Sequence, residues 1–138
     1  MSRSCILLSL TLAFIAGCGD GGNAGREPVY PVQGQVLLEG KPAAGAQIVF
    51  HPVGNNSLAA IRPSGQVDST GKFTLTTHAA GDGAPAGEYE VTVELWVSKN
   101  DRPAVNQLPA RYQRTRSSGL HATVAVGENQ LPAFKLSR

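Results

Sequence analysis

The sequence predicts an all-β fold, a single sandwich of about seven antiparallel strands. The most regular alternation of apolar and polar residues covers positions 87–95, with Tyr89, Val91, Val93 and Leu95 in one row and Glu88, Glu90, Thr92 and Glu94 in the other. Because successive side chains of a strand point to opposite faces, we expect a strand here, in the middle of the sandwich. The 16 glycines and 9 prolines supply turns, and no stretch repeats apolar residues with a helical period.

The remaining strands are predicted by the same alternation, taken in chain order. Short apolar or alternating runs bounded by Gly, Pro or Asn indicate strands at residues 30–39, 47–52, 72–77, 123–126 and 131–136. A short edge strand is predicted at residues 58–61. Residues 39–42 and 127–130 are expected to form turns, and residues 100–119 a long polar connection. The 138 residues suit one core, so a second domain is not expected.

The first residues have the pattern of a targeting segment. Arg3 provides the positive charge and residues 6–15 the apolar stretch, which at about ten residues is too short to span a bilayer as a helix. The stretch ends in Ile15-Ala16-Gly17-Cys18, which resembles the lipobox of bacterial lipoproteins. The resemblance implies cleavage before Cys18 and acylation of its sulfur. The alternative is an ordinary secretory signal peptide that happens to be cut near a cysteine.

Cysteine content and charge agree with this interpretation. Cys5 lies inside the predicted leader, so the mature chain would keep Cys18 alone and form no internal disulfide. The formal net charge of +2 is too small to indicate a nucleic-acid partner. The predicted organisation is a signal peptide at 1–17, a lipidated cysteine with a flexible tether at 18–28, and one domain at 29–138. The resemblance to bacterial lipoproteins further implies that Gly19, as the residue after the cysteine, directs the protein to the outer rather than the inner membrane.

Several motifs of the predicted domain resemble a known family. They are Val32-x-Gly34-x-Val36, Gly40-Lys41-Pro42, Ile48-x-Phe50, Asp68-x-x-Gly71-x-Phe73-x-Leu75 and Gly87-x-Tyr89-x-Val91-x-Val93. Together they are similar to carboxypeptidase-regulatory-like domains, which are transthyretin-like seven-stranded sandwiches of bacterial envelope proteins. The resemblance implies a fold and an envelope location, with accessory, adhesion or carbohydrate-associated roles. It implies no particular reaction.

The sequence offers no convincing catalytic or metal site, and no cofactor is expected. Asp68 and Asp82 are each more readily explained as turn residues than as calcium ligands, since calcium prefers several carboxylates at short spacing. The three histidines stand on separate elements, are expected to face solvent, and share no short zinc-binding spacing. A hydrolase of the transthyretin fold is a minor alternative, because the Tyr-Arg-Gly-Ser tail of 5-hydroxyisourate hydrolase is missing.

Five residues are candidates for ligand binding. Four of them form a cluster of guanidinium groups with one aromatic ring, which suits anionic groups and sugar faces: Arg111, Tyr112, Arg114 and Arg116. The fifth is Trp96, an aromatic residue on the polar side of its strand. The alternatives are a solvated connector anchored by Tyr112, and a Trp96 covered by that connector. The leading interpretation is a non-enzymatic, membrane-anchored envelope lipoprotein that binds or spaces envelope proteins or polysaccharide. The second is a binding module for glycans or anionic polymers.

Overall fold

Two β-sheets pack face to face in the computed structural model, which describes residues 26–54 and 58–138. The predicted all-β sandwich is confirmed. The predicted leader and Cys18 lie outside the described residues. In chain order the elements are β1 (Val32–Leu38), β2 (Lys41–Pro42), β3 (Gln47–Pro52), β4 (Ser64–Gln66), β5 (Lys72–Thr74), β6 (Gly87–Glu94), β7 (Trp96–Val97), β8 (Val105–Asn106), a 3₁₀ helix (Ala110–Gln113), α1 (Thr115–Ser118), β9 (Leu120–Val124), β10 (Asn129–Gln130) and β11 (Phe134–Leu136).

The first sheet is built on β1. Strands β2 and β5 pair with it antiparallel, whereas β10 and β11 run parallel to it. The prediction of a purely antiparallel sandwich is therefore wrong. After β9 in the other sheet the chain crosses over to the first sheet, and β10 and β11 then run alongside β1 in the same direction. The described residues form eleven strand segments instead of seven. The additional segments are the two-residue strands β2, β7, β8 and β10, of which β2 and β10 lie in residues predicted to form turns. The predicted closing strand is shorter than expected, because β11 begins only after Pro132, which has no N–H to donate.

The second sheet has the order β4-β3-β6-β9 and is antiparallel throughout. Strand β6 pairs with β3 on one side and β9 on the other, which confirms its predicted central place. The predicted edge strand at 58–61 is wrong, because Leu58 is buried in a turn closed by the bond from Ile61 N to Leu58 O, and β4 forms the edge instead. Strand β9 ends at Val124, and Val126, predicted to be in a strand, is 75% exposed.

The core lies between the sheets and is centred on Phe50. Its ring centroid is 5.6 Å from that of Tyr89 and 6.3 Å from those of Phe73 and Phe134. Phe73 reaches the core only because residue 34 is glycine, since a Cβ there would lie 2.6 Å from Phe73 Cζ. Burial raises the pKa of Tyr89 to about 12, and its hydroxyl donates to the carbonyl of Pro85 at 2.6 Å. The alternating residues that the sequence placed inside are thus the residues that hold the sheets together.

The chain enters the sandwich beside the start of β6. Tyr30 and Ala84 exchange two backbone hydrogen bonds of 2.9 and 3.0 Å. Gly83 makes this close approach possible, because a Cβ built on it would lie 1.7 Å from the carbonyl oxygen of Tyr30. Strand β6 begins three residues after Ala84 and spans seven residue steps, about 23 Å at 3.3 Å per residue. No helix within the described residues is both long and apolar enough to cross a bilayer.

Candidate functional site

Trp96 presents its indole ring at the far end of β6. It is the first residue of β7, and its side chain is 55% exposed, the only aromatic among the exposed large apolar residues of the described chain. The indole Nε1 donates a hydrogen bond of 2.7 Å to Oε2 of Glu94. This bond restricts the orientation of the ring, so the exposed surface is a fixed feature and not a freely rotating side chain.

A cleft of ≈ 430 Å³ opens beside this ring on the outer face of the second sheet. Strand pairing sets Gln66 opposite Gln47 and Gln47 opposite Glu94, so the three side chains form one row across β4, β3 and β6. Trp96 stands next to the end of this row. The remaining lining residues are small and come from neighbouring turns and strands: Gly45, Ser64, Gly65 and Thr76.

The polar groups of this row are available to a ligand. Within the described residues, the side-chain amides of Gln47 and Gln66 and the Oε1 atom of Glu94 take part in no hydrogen bond with protein, whereas Gln35 and Gln107 donate theirs to backbone carbonyls. A primary amide offers two donors and an acceptor, and a carboxylate accepts only. Among the described residues that line the cleft there is no lysine or arginine. It is therefore a polar surface with one aromatic and one acidic group.

Tyr112 anchors the long connector, as one of the sequence alternatives proposed. It lies in the 3₁₀ helix and is only 5% exposed. Ser137 N donates to the Tyr112 hydroxyl at 2.9 Å, and Arg111 Nη2 donates to the carbonyl of Ser137 at 2.6 Å and to the same hydroxyl at 3.1 Å. Burial alone would raise the pKa of Tyr112, but the bonds from Ser137 and Arg111 outweigh it and lower the pKa. The ring fills the core and has no face left for a sugar.

The five predicted ligand-binding residues therefore separate into two places. Arg111 lies with its guanidinium carbon 4.7 Å from the centre of the Tyr112 ring and is engaged with the C-terminal residues. Arg114 precedes α1 and Arg116 lies within it, both exposed. None of the three arginines lines the Trp96 cleft. The structure instead adds Gln47, Gln66 and Glu94 to Trp96, and these residues give no signal in the sequence because only strand register brings them together.

The carboxylates of Asp68 and Asp82 close turns, as predicted. Asp68 Oδ1 accepts from Thr70 Oγ1 at 2.6 Å and from two backbone N–H groups, and these bonds, led by that from the Thr70 hydroxyl, lower the pKa of Asp68. Asp82 accepts from three backbone N–H groups with its two oxygens. Burial acts to raise the pKa of Asp82, but the three bonds together lower it. Both side chains are thus bonded to protein groups.

His51 differs from the prediction that all three histidines face solvent. It is half-buried, and its Nε2 is 2.9 Å from Thr92 Oγ1, which is itself only 7% exposed. Burial, followed by the charge of Arg62, lowers the pKa of His51, while Glu90 opposes the shift. Strand register also brings His51, Glu90 and His121 into one row that the sequence did not indicate. Even so, no group of three His, Cys, Asp or Glu side chains within the described residues is placed to hold a metal ion.

Comparisons with protein-family models and with curated protein sequences give no match to this chain.

Proposed function

We propose that this protein is a non-enzymatic, lipid-anchored binding module of the cell envelope. Acyl chains on Cys18 would hold it at the membrane, most simply the outer membrane, and the β-sandwich would present a recognition surface to other envelope components. The anchor would be hydrophobic, because each buried CH₂ contributes about 0.8 kcal/mol and one chain alone binds only weakly.

The observation that carries this proposal is the exposed cleft beside Trp96. It combines an indole ring that is 55% exposed with the side chains of Gln47, Gln66 and Glu94, whose polar groups are available to a ligand. A module that only spaced other components would have no need of an exposed indole ring beside such a cleft.

Binding is favoured over catalysis by the composition of the cleft. Among its described lining residues Glu94 is the only carboxylate, and histidine and cysteine are missing. A general acid or base is usually tuned by neighbouring titratable groups, and the described lining supplies none beside Glu94. The groups present instead offer hydrogen bonds and one aromatic surface, which suit recognition.

Membrane fractionation of a Cys18→Ser chain tests the anchor. We expect the unaltered full-length protein to fractionate with membranes and to incorporate labelled palmitate, and the Cys18→Ser chain to do neither. Cys5→Ser is the matched control, because it changes the other cysteine of the chain and should retain both properties. Membrane association and labelling that persist in the Cys18→Ser chain would refute the lipid anchor.

A further inference from the structure

We infer that the Trp96 cleft binds a neutral saccharide chain. The inference rests on the proposed role as a binding module, but not on the lipid anchor. It narrows the ligand from glycans and anionic polymers in general to uncharged sugars, and it assigns recognition to Gln47, Gln66, Glu94 and Trp96.

The aromatic group supplies the apolar half of such a site. The C–H groups on one face of a pyranose ring are apolar, and a large amphipathic ring gives them a flat partner at low conformational cost. Trp96 is 55% exposed and is oriented by its 2.7 Å bond to Glu94. It therefore presents its surface without having to be ordered on binding, which reduces the entropic cost.

The row of amides and carboxylate supplies the polar half. Sugar hydroxyls both donate and accept, so they are matched by the amides of Gln47 and Gln66, which do both, and by the free acceptor of Glu94. Strands lie about 4.8 Å apart, so a row across three strands is about 10 Å long, comparable to roughly two linked sugar rings. A chain of sugars along this row would meet hydrogen-bonding groups at intervals and the indole ring at one end.

Charge excludes the anionic alternative from this cleft. Its one ionisable described lining residue is Glu94, which repels carboxylate and sulfate groups when ionised. The exposed guanidinium groups of Arg114 and Arg116 lie on the segment around α1 and do not line the cleft. Binding should accordingly change little with ionic strength, in contrast to a polyanion held by arginines.

Intrinsic fluorescence gives a direct test, because Trp96 is the only tryptophan of the chain. The full-length protein in detergent is titrated with neutral hexasaccharides, α- and β-linked glucose and β-linked N-acetylglucosamine, and with polygalacturonate as the anionic probe. We expect a saturable change with at least one neutral hexasaccharide. Gln47→Ala and Gln66→Ala should each weaken it by about three- to tenfold, and Trp96→Ala, measured by calorimetry, by at least about tenfold.

The Arg114→Ala/Arg116→Ala double variant is the matched control and should bind the neutral sugar unchanged. The inference is overturned if none of the neutral hexasaccharides binds at millimolar concentration, or if binding is unaltered in both glutamine variants and in Trp96→Ala. Binding of polygalacturonate alone, lost in the arginine double variant, would also overturn it and would place an anionic ligand near α1. The titration is repeated with the Cys18→Ser chain, which should bind the neutral sugar unchanged. Failure of the lipid-anchor proposal would therefore leave the sugar-binding result standing.

Discussion

At the scale of single residues, the carboxylates of Asp68 and Asp82 serve the backbone. Asp82 shows this best: Oδ1 accepts from Thr77 N at 2.7 Å, and Oδ2 accepts from the N–H groups of His78 and Ala79, both at 2.9 Å. The loop that follows β5 otherwise has few partners for these donors. The carboxylate therefore organises the turn that leads to Gly83 and to the close contact with Tyr30, where the chain enters the sandwich.

These bonds predict that the domain loses stability in acid. The pKa of Asp82 and that of Asp68 are lowered from 3.8 in the folded state, so the unfolded chain takes up protons first as the pH falls. Their contribution is fully present above about 3.8 and is lost as the pH falls through the folded pKa values. We expect Asp82→Asn to lower the thermal midpoint near pH 6, and the difference from the unaltered protein to narrow toward pH 2.

Thermal unfolding followed by circular dichroism across this range checks the prediction. Glu128→Gln is the matched control, since Glu128 is exposed and its side chain makes no hydrogen bond within the described residues. It should leave the midpoint unchanged near pH 6. A difference between Asp82→Asn and the unaltered protein that stays constant with pH would show that the carboxylate charge has no part in the turn.

At the scale of elements, the connector between β8 and β9 packs against the central strand β6. Strand β9 pairs with β6 only from Gly87 to Val91, and the 3₁₀ helix and α1 pack beside β6. Tyr112 fixes this segment to the residues after β11 through its hydroxyl, which bonds Ser137 and Arg111. The connector predicted as a polar loop is thus part of the packed structure.

Tyr112→Phe isolates the contribution of that hydroxyl. The ring stays in place, but Ser137 N and Arg111 Nη2 lose an acceptor, so we expect a loss of roughly 1–2 kcal/mol in the free energy of unfolding. Hydrogen exchange of the Ser137 amide should become faster. The matched control is Tyr30→Phe, because the Tyr30 hydroxyl makes no hydrogen bond within the described residues. Equal effects of the two substitutions on urea unfolding and on exchange would contradict the anchoring role.

The sequence predicts the sandwich but not the cleft, and the reason is physical. Alternation along a strand tells which face a residue occupies, so the inward rows of β3 and β6 were predictable from the sequence. It does not tell which residue of another strand lies alongside, because that depends on pairing between distant segments. Gln66 next to Gln47 and Glu94, His51 beside Glu90, and the parallel course of β11 along β1 are all set by register. Exposed Trp96 was the one member of the cleft with a local signal.

At the scale of the whole molecule, the domain has two distinct ends. The chain enters where Tyr30 meets Ala84, whereas the backbone N–H of the final residue, Arg138, donates to Glu39 Oε1 at 2.8 Å beyond the end of β1. The Trp96 cleft lies between these ends. It reaches from Thr76, whose neighbour Leu75 is bonded to Val32 and Gly83 near the entry, to Glu94 and Trp96 at the end of β6. If the anchor is at Cys18, the tether predicted at residues 18–28 decides which face of the domain meets the bilayer.

Quenching of Trp96 by brominated lipids measures that arrangement. The full-length protein is reconstituted into vesicles with bromine on the acyl chains, which quench an indole only at close range. Because a recognition surface for envelope components has to stay open to them, we expect little quenching by the lipids but full quenching by soluble acrylamide, as in detergent. A Val29→Trp, Trp96→Phe chain provides the positive control, since its only indole lies at the entry end and should be the more strongly quenched of the two. Stronger lipid quenching of Trp96 would mean that the cleft faces the membrane, and the proposed orientation would then be reversed.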